Sequence, residues 1–255
     1  MTCSRTVAVR YALEADMLPP LVEAVDALVA GLPDAADREV LFEVPAFESI
    51  PDLVIVQLSH DAVTRRLAAG VTAVPDLTCV RVLAGLAAGI DSLDALAHRC
   101  GVTPAHLRRK VVPSLVAAGW LSDLEGLRLD APFEPVLNWV VTVEAKRSKW
   151  REAYAQARRQ KRVADRAFVA LDAGSANPAR PWSEEFAVQG IGLVTVDART
   201  DTAKVERRPR RGPRPDTDAR FLLGERVMEM TAAGVSVGKT FPVFGQMLPM
   251  RVSVC

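Results

Sequence analysis

Two acids and a base pose the chemical question. Asp52 heads the apolar run Leu53-Val54-Ile55-Val56, and Glu144-Ala145-Lys146 closes the run Trp139-Val140-Val141-Thr142-Val143. On a strand, side chains alternate faces. Glu144 and Lys146 therefore point one way while Val141, Val143 and Ala145 point into a core. A carboxylate at the end of an apolar strand is costly unless something binds it. Two such carboxylates offer hard oxygen ligands to Mg²⁺, which keeps several waters and bridges to a substrate phosphate. An ion held there polarises a phosphoryl oxygen and lowers the pKa of its water, and a lysine alongside positions that water and offsets developing charge. The chemistry expected is phosphodiester hydrolysis, on condition that the two strands are neighbours. The competing expectation is a strand end closed by a salt bridge.

The surrounding pattern supplies elements to hold these groups. Leu13, Met17, Leu21, Val25 and Leu28 recur at helical spacing and predict a helix over about residues 7–32, stopped by Gly31 and Pro33 and interrupted near Pro19-Pro20. Strands are expected over 39–44 and 52–58, the second apolar enough for a place covered on both faces. After a helix over 61–69 the texture changes. Residues 77–88, 91–99 and 104–118 read as three helices, the last opened by Thr103 as N-cap and Pro104. Residues 120–122, 123–126 and 127–129 read as strand, turn and strand. Then come the strand carrying Glu144, a helix over 148–165 with an inner stripe of Trp150, Tyr154 and Ala157, and a strand over 167–171. Helix 182–188, strand 191–196, an edge strand over 202–206, a basic Pro-rich loop over 207–216 and helix 218–233 complete the pattern.

Bulk properties narrow the classes. The chain has 255 residues, 49% hydrophobic and 25% charged, enough to bury a core. A net charge of +1 confines any nucleic-acid surface to a local patch. Cys3, Cys79, Cys100 and Cys255 are scattered without a Cys-x-x-Cys, which argues for a reducing compartment and against zinc. His98 beside Cys100 lacks a partner pair and reads as a packed helix end. Arg5, Arg10, Glu14 and Asp16 interrupt any signal-peptide stretch. No apolar run approaches the roughly 20 residues of a membrane span, so no membrane partner is expected. Gly234-Val-Ser-Val-Gly238-Lys239-Thr240 is one residue short of a phosphate loop and follows a helix rather than a strand, so it is set aside.

Pro51-Asp52 and Glu144-Ala145-Lys146 resemble the two core motifs of the PD-(D/E)XK nuclease superfamily. The resemblance covers about residues 7–58 and 135–196. It implies a restriction-endonuclease-like α/β core, a central mixed sheet flanked by helices, in which Asp52 and Glu144 bind the metal and Lys146 assists the attacking water. It also implies a helper side chain on the following helix, Gln156 or failing that Gln160, and an acid on the first helix, matched by Glu14 as a further metal ligand. One departure is plain: about 90 residues separate Asp52 from Glu144, where a short connection is usual. The segment between them resembles a winged helix-turn-helix, carried by Leu93-x-x-Leu96-Ala97, Gly101-Val102, Leu107 and the entry Leu115-Val116-Ala117-Ala118-Gly119-Trp120-Leu121. An insertion accounts for the spacing. The expected division is nuclease core over 1–75 and 132–255 and inserted module over 76–131.

Basic residues gather where such an enzyme needs them. His106, Arg108, Arg109 and Lys110 lie on the expected recognition helix, and Arg147, Lys149, Arg158, Arg159 and Arg162 follow the motif. The expectation is a Mg²⁺-dependent deoxyribonuclease, with Mn²⁺ as substitute. It would act on double-stranded DNA in the cytoplasm at the nucleoid, as a homodimer or by two nicks, in restriction-like defence or mobile-element processing. The alternatives are a DNA-binding regulator without catalysis and a protein-interaction module on a degenerate nuclease fold.

Overall fold

A computed structural model describes residues 9–238 apart from 47, 123–126, 211 and 213. The first residues of the expected N-terminal helix, the 123–126 turn, Cys3, Cys255, Arg211 and Lys239-Thr240 lie outside the described residues. The chain divides into two compact units, one formed by residues 1–57, 139–215 and 236–255, the other by 58–138 and 216–235. The second is wider than the segment 76–131 read from sequence, because it takes in one helix on either side of that segment.

The first unit is built on a six-stranded mixed sheet in sequential order: β1 (Glu39–Phe42), β2 (Leu53–Leu58), β3 (Leu137–Lys146), β4 (Arg166–Asp172), β5 (Ile191–Asp197) and β6 (Thr202–Arg207). β1 pairs antiparallel with β2, β3 to β5 are parallel, and β6 is an antiparallel edge. β2 and β3 are hydrogen-bonded neighbours although the second unit's 58–138 segment intervenes between them in sequence. The parallel strands are joined by α8 (Trp150–Gln160) and by α9 (Ser183–Val188), the helical crossovers that parallel pairing requires. At the edges, Phe42 N–H donates to Ser236 O at 2.8 Å.

Alternation along the strands decides which side chains meet which layer. Trp139, Val141, Val143 and Ala145 join Leu53, Ile55, Phe168 and Val194 in a core covered by α1 (Leu18–Glu23) and α2 (Val25–Val29) through Leu21, Val25 and Leu28. The opposite face carries Ala167, Val169, Leu171 and Leu193 against Trp150, Ala153 and Ala157 of α8 and Phe186 of α9. The unit is thus a three-layer α/β/α arrangement. The N-terminal helix is shorter than its apolar spacing predicts. It begins with a 3₁₀ turn at Ala15–Met17, the prolines sit in the first turn of α1 where their missing N–H costs nothing, and the break falls at Ala24. α8 likewise stops at Gln160. Lys161 caps the following turn, its Nζ donating to Ala164 O at 3.0 Å and Asp165 O at 2.7 Å.

The second unit packs α3 (His60–Ala68), α4 (Leu77–Ala87), α5 (Leu93–Cys100), α6 (Pro104–His106), α7 (Val112–Ala117) and α10 (Thr217–Ala232). Val80, Leu83, Leu96, Leu107, Leu115, Trp120 and Phe221 share its core. Gly101 ends α5 at φ 71°, a left-handed conformation glycine adopts without penalty, and turns the chain into α6. Close approach of α4 and α5 rests on Gly85, where an added Cβ would stand 2.6 Å from Leu96 Cδ2. Between α6 and α7 the helix widens into a π turn at Leu107–Val111. Pro113 explains it: without an N–H it leaves the Arg109 carbonyl unserved by the i+4 bond. Of the hairpin expected after α7, the described residues show an antiparallel bridge, Leu121 to Leu129, with Ser122 N–H donating to Arg128 O at 3.4 Å and Asp130 N–H to Trp120 O at 2.9 Å.

Candidate active site

β3 ends where β2 begins. Asp52 lies one residue before β2, and its Oδ2 accepts a hydrogen bond from the backbone N–H of Ala145 at 2.7 Å, across 93 positions of sequence. Ala145 is the spacer between Glu144 and Lys146, so the first acid is bonded to the middle of the second motif. Its own side chain belongs to the sheet's other face, as alternation requires.

Glu144 is 1% exposed. Its Oε2 accepts from Gln160 Nε2 at 2.7 Å, and its Oε1 lies 3.0 Å from Lys146 Nζ without an aligned hydrogen bond. Burial, then the charge of Asp52, pushes the Glu144 carboxyl up to about 7, against the pull of Lys146 and Gln160. Asp52 is also raised, by burial, although Ala145 N–H and Lys146 favour its charged form. Burial alone would lower the Lys146 ammonium, but Glu144, Asp52 and Glu14 outweigh it and hold the proton on. Two carboxylates crowded beside one ammonium, both raised from the usual carboxylate range, form the arrangement that a divalent cation relieves.

The expected helpers are placed unequally. Glu14 reaches the lysine: its Oε2 is 3.2 Å from Lys146 Nζ, and its Oε1 accepts from Arg147 N at 3.5 Å. Among the described residues, no three His, Cys, Asp or Glu side chains are grouped to hold a metal ion. On α8, Gln160 is the residue in contact with Glu144, while the Gln156 Oε1 is buried without a hydrogen-bond partner. Helical spacing puts both glutamines near one face, but only the packing shows which one reaches. Glu43 escaped the sequence reading. It follows β1 at φ 51°, its N–H donates to Asp52 O at 3.4 Å, and burial followed by the Asp52 charge raises its carboxyl. Its only signal in sequence was an acid at the end of a short strand preceding Asp52.

The basic residues separate into two groups. Arg162 is 2.8 Å from Glu48, Lys149 is 3.4 Å from Glu152, and Arg147 bonds Ala12 O. Arg158 and Arg159 are exposed and enter no ion pair among the described residues. In the second unit, His106, Arg108, Arg109 and Lys110 are all exposed while Leu107 and Val111 are buried, so the π turn presents one continuous basic edge. His98 and Cys100 line an open cavity of about 350 Å³ with Arg81, Arg99, Gly101 and Asp218. Burial raises the Cys100 thiol, which suits a packed helix end rather than a metal ligand.

No helix among the described residues is long and apolar enough to cross a membrane. Comparison of the chain with protein-family models, curated proteins and solved structures finds no match.

Proposed function

We propose that the chain is a Mg²⁺-dependent endonuclease on a restriction-endonuclease-like core, acting on double-stranded DNA gripped by a winged-helix module. The observation that carries this reading is the hydrogen bond donated by Ala145 N–H to Asp52, which brings a second, half-buried carboxylate to the Glu144-Ala145-Lys146 strand end. The order of helix, three strands, helix and parallel strand around that point agrees with the PD-(D/E)XK resemblance.

The residues fit a divalent ion. Glu144 Oε1 is buried with no aligned donor, and both carboxyls are raised. Asp52 and Glu144 would hold the ion, with water and substrate phosphate completing its shell. When bound, it supplies Lewis-acid activation of phosphate and water. Glu144 must shed its proton to serve, and the Gln160 amide holds its carboxylate in one orientation. Lys146 stays charged and can turn from Glu144 towards a non-bridging phosphate oxygen or the attacking water. Water attacks phosphorus in line and gives up a proton to solvent, the P–O bond opposite breaks, and the leaving oxygen takes a proton from solvent.

In the second unit, the exposed edge of His106, Arg108, Arg109 and Lys110 is suited to duplex phosphates and groove edges. A nucleoid-associated, cytoplasmic setting and a homodimer for double-strand cutting belong to the same proposal. A second reading has one observation in its favour: the Lys146–Glu144 ion pair is also what a structural strand end would contain. Asp52 separates the two, because a strand-end salt bridge needs no second, half-buried acid bonded to its backbone.

The test is plasmid cleavage with Mg²⁺ or Mn²⁺ and then with chelator, for the wild type, Asp52→Asn, Glu144→Ala and Lys146→Ala. Metal-dependent cutting lost in all three folded variants supports the enzyme. A gel shift of plasmid without cutting supports the regulator, and neither result leaves the interaction module.

A further inference from the structure

Outside the candidate active site, the first unit carries a run of aromatic rings. Trp182 stacks on Trp150 with centroids 6.0 Å apart and planes at 29°. Trp150 meets Phe186 at 5.8 Å, and Phe186 stacks on Tyr154 at 4.3 Å. Two guanidiniums border the run, Arg151 at 4.4 Å from the Trp150 ring centre and Arg158 at 6.0 Å from that of Tyr154. The inner rings are structural: Trp150 and Phe186 are buried in the core beneath α8. The outer ring is not. Trp182 closes a 3₁₀ turn at Arg180–Trp182 and is 46% exposed.

Folding gains little from an indole left nearly half in water, already supported on one side by another indole. Such a ring offers a flat apolar surface to a second flat group. Local charge indicates what that group carries. Glu184, two residues on, is ion-paired with Arg207 at 3.4 Å and also with Arg210. Arg151 and Arg158 are exposed and enter no ion pair among the described residues. The surface therefore sets a stacking face beside exposed guanidiniums, with Glu185 opposing Arg158 at Tyr154; the Arg151 cation at Trp150 suits a nucleobase attached to phosphate better than an apolar peptide.

We infer that Trp182, backed by Trp150 whose ring also carries the Arg151 guanidinium, is a stacking subsite for an unpaired nucleobase of a nucleic-acid strand. The inference rests on the nuclease reading for its biological sense, since α8 carries both Trp150 at one end and Gln160, the partner of Glu144, at the other. At about 1.5 Å per residue its length is about 15 Å, so a strand lying on the platform stays within a few nucleotides of the candidate site. The substrate class this adds is DNA with an unpaired stretch, such as an overhang, flap or opened duplex.

The test uses the full chain in chelator, so that no cleavage intervenes. Affinity is measured for a labelled thymidine oligonucleotide, for a blunt duplex and for the same duplex with a thymidine overhang. Comparing wild type, Trp182→Ala and Trp182→Phe, the overhang is expected to tighten wild-type binding. Trp182→Ala should weaken binding of the single strand and the overhang by about five- to 150-fold, the worth of one stacked base, while leaving the blunt duplex unchanged. Trp182→Phe should restore most of the loss. Equal affinities in wild type and Trp182→Ala overturn the inference even if the wild type cuts plasmid. Quenching of indole fluorescence by the oligonucleotide that disappears in Trp182→Ala sustains it even if no plasmid is cut. A dimer in sedimentation that becomes monomeric in Trp182→Ala, without change in oligonucleotide affinity, makes this a self-association face and refutes the subsite.

Discussion

Glu225→Ala is the most demanding test of the second unit. Glu225 on α10 is 1% exposed. Its Oε2 accepts from the Arg66 guanidinium on α3 and from Val74 N–H at 2.8 Å. Arg66 is 6% exposed and lies 3.8 Å over the Trp120 ring centre, so it cannot reach water without disturbing the core. Truncating Glu225 removes a charge-assisted hydrogen bond of about 1.5–3 kcal/mol and orphans the Val74 N–H at about 1–3 kcal/mol. The sum, about 2.5–6 kcal/mol, brackets the usual cost of about 3–5 kcal/mol for leaving a buried charge alone. The pair is also imperfectly served: Arg66 Nε and Glu225 Oε1 are buried with no hydrogen-bond partner. Arg66→Met with Glu225→Leu should therefore recover most of the loss and leave stability within about 2 kcal/mol of wild type. Urea unfolding followed by Trp120 fluorescence, with both single variants and the double, gives the coupling energy. A loss below about 1 kcal/mol for Glu225→Ala, or additive single effects, would refute the buried-pair argument and the grouping of α10 with α3.

Three further outcomes bear on function. Because folding raises the Glu144 carboxyl to about 7, the native state holds this proton more tightly than the unfolded chain. Its stabilising effect is present at acid pH and is lost as pH rises from the ordinary glutamate value through about 7. A cation competing with that proton should bind about tenfold more weakly at about pH 6 than at about pH 8, since the ionised fraction falls from about 90% to about 10%. Calorimetric titration with Mg²⁺ checks this, and affinity flat across that range would contradict it. Gln160→Leu removes a donor that favours the charged form of Glu144. The acidic limb of the pH–rate profile should move to higher pH in the folded variant, whereas an unmoved limb with lower rate would mean Gln160 only packs. Replacing Arg108, Arg109 and Lys110 together by Ala should reduce the slope of log affinity against log salt for duplex DNA by about 2.7, at about 0.9 per phosphate contact. An unchanged slope would place the duplex elsewhere.

Element types were legible because each obeys a local rule. The apolar run of β2, the strand ending in Glu144-Ala145-Lys146, and the N-cap at Thr103 with Pro104 behind it all carry their signal within a few residues. So did the α/β class and the helical texture of the segment after Pro75. Where elements stop was less legible. α8 ends five residues early because the Lys161 ammonium captures the Ala164 and Asp165 carbonyls, a tertiary choice that helical periodicity does not encode.

The amino-acid order alone determined which side chains could do chemistry: two acids and a lysine at strand ends, with a glutamine one helix away. Tertiary structure decided the rest, because pairing across 93 positions depends on how a whole sheet closes over its core, not on any window of neighbours. It set Asp52 on the backbone of Ala145, chose Gln160 for Glu144, brought Glu14 and Glu43 to the same strand ends, and left Trp182 facing water. Burial and charge crowding, which give the carboxylates their altered protonation, exist only once those contacts form.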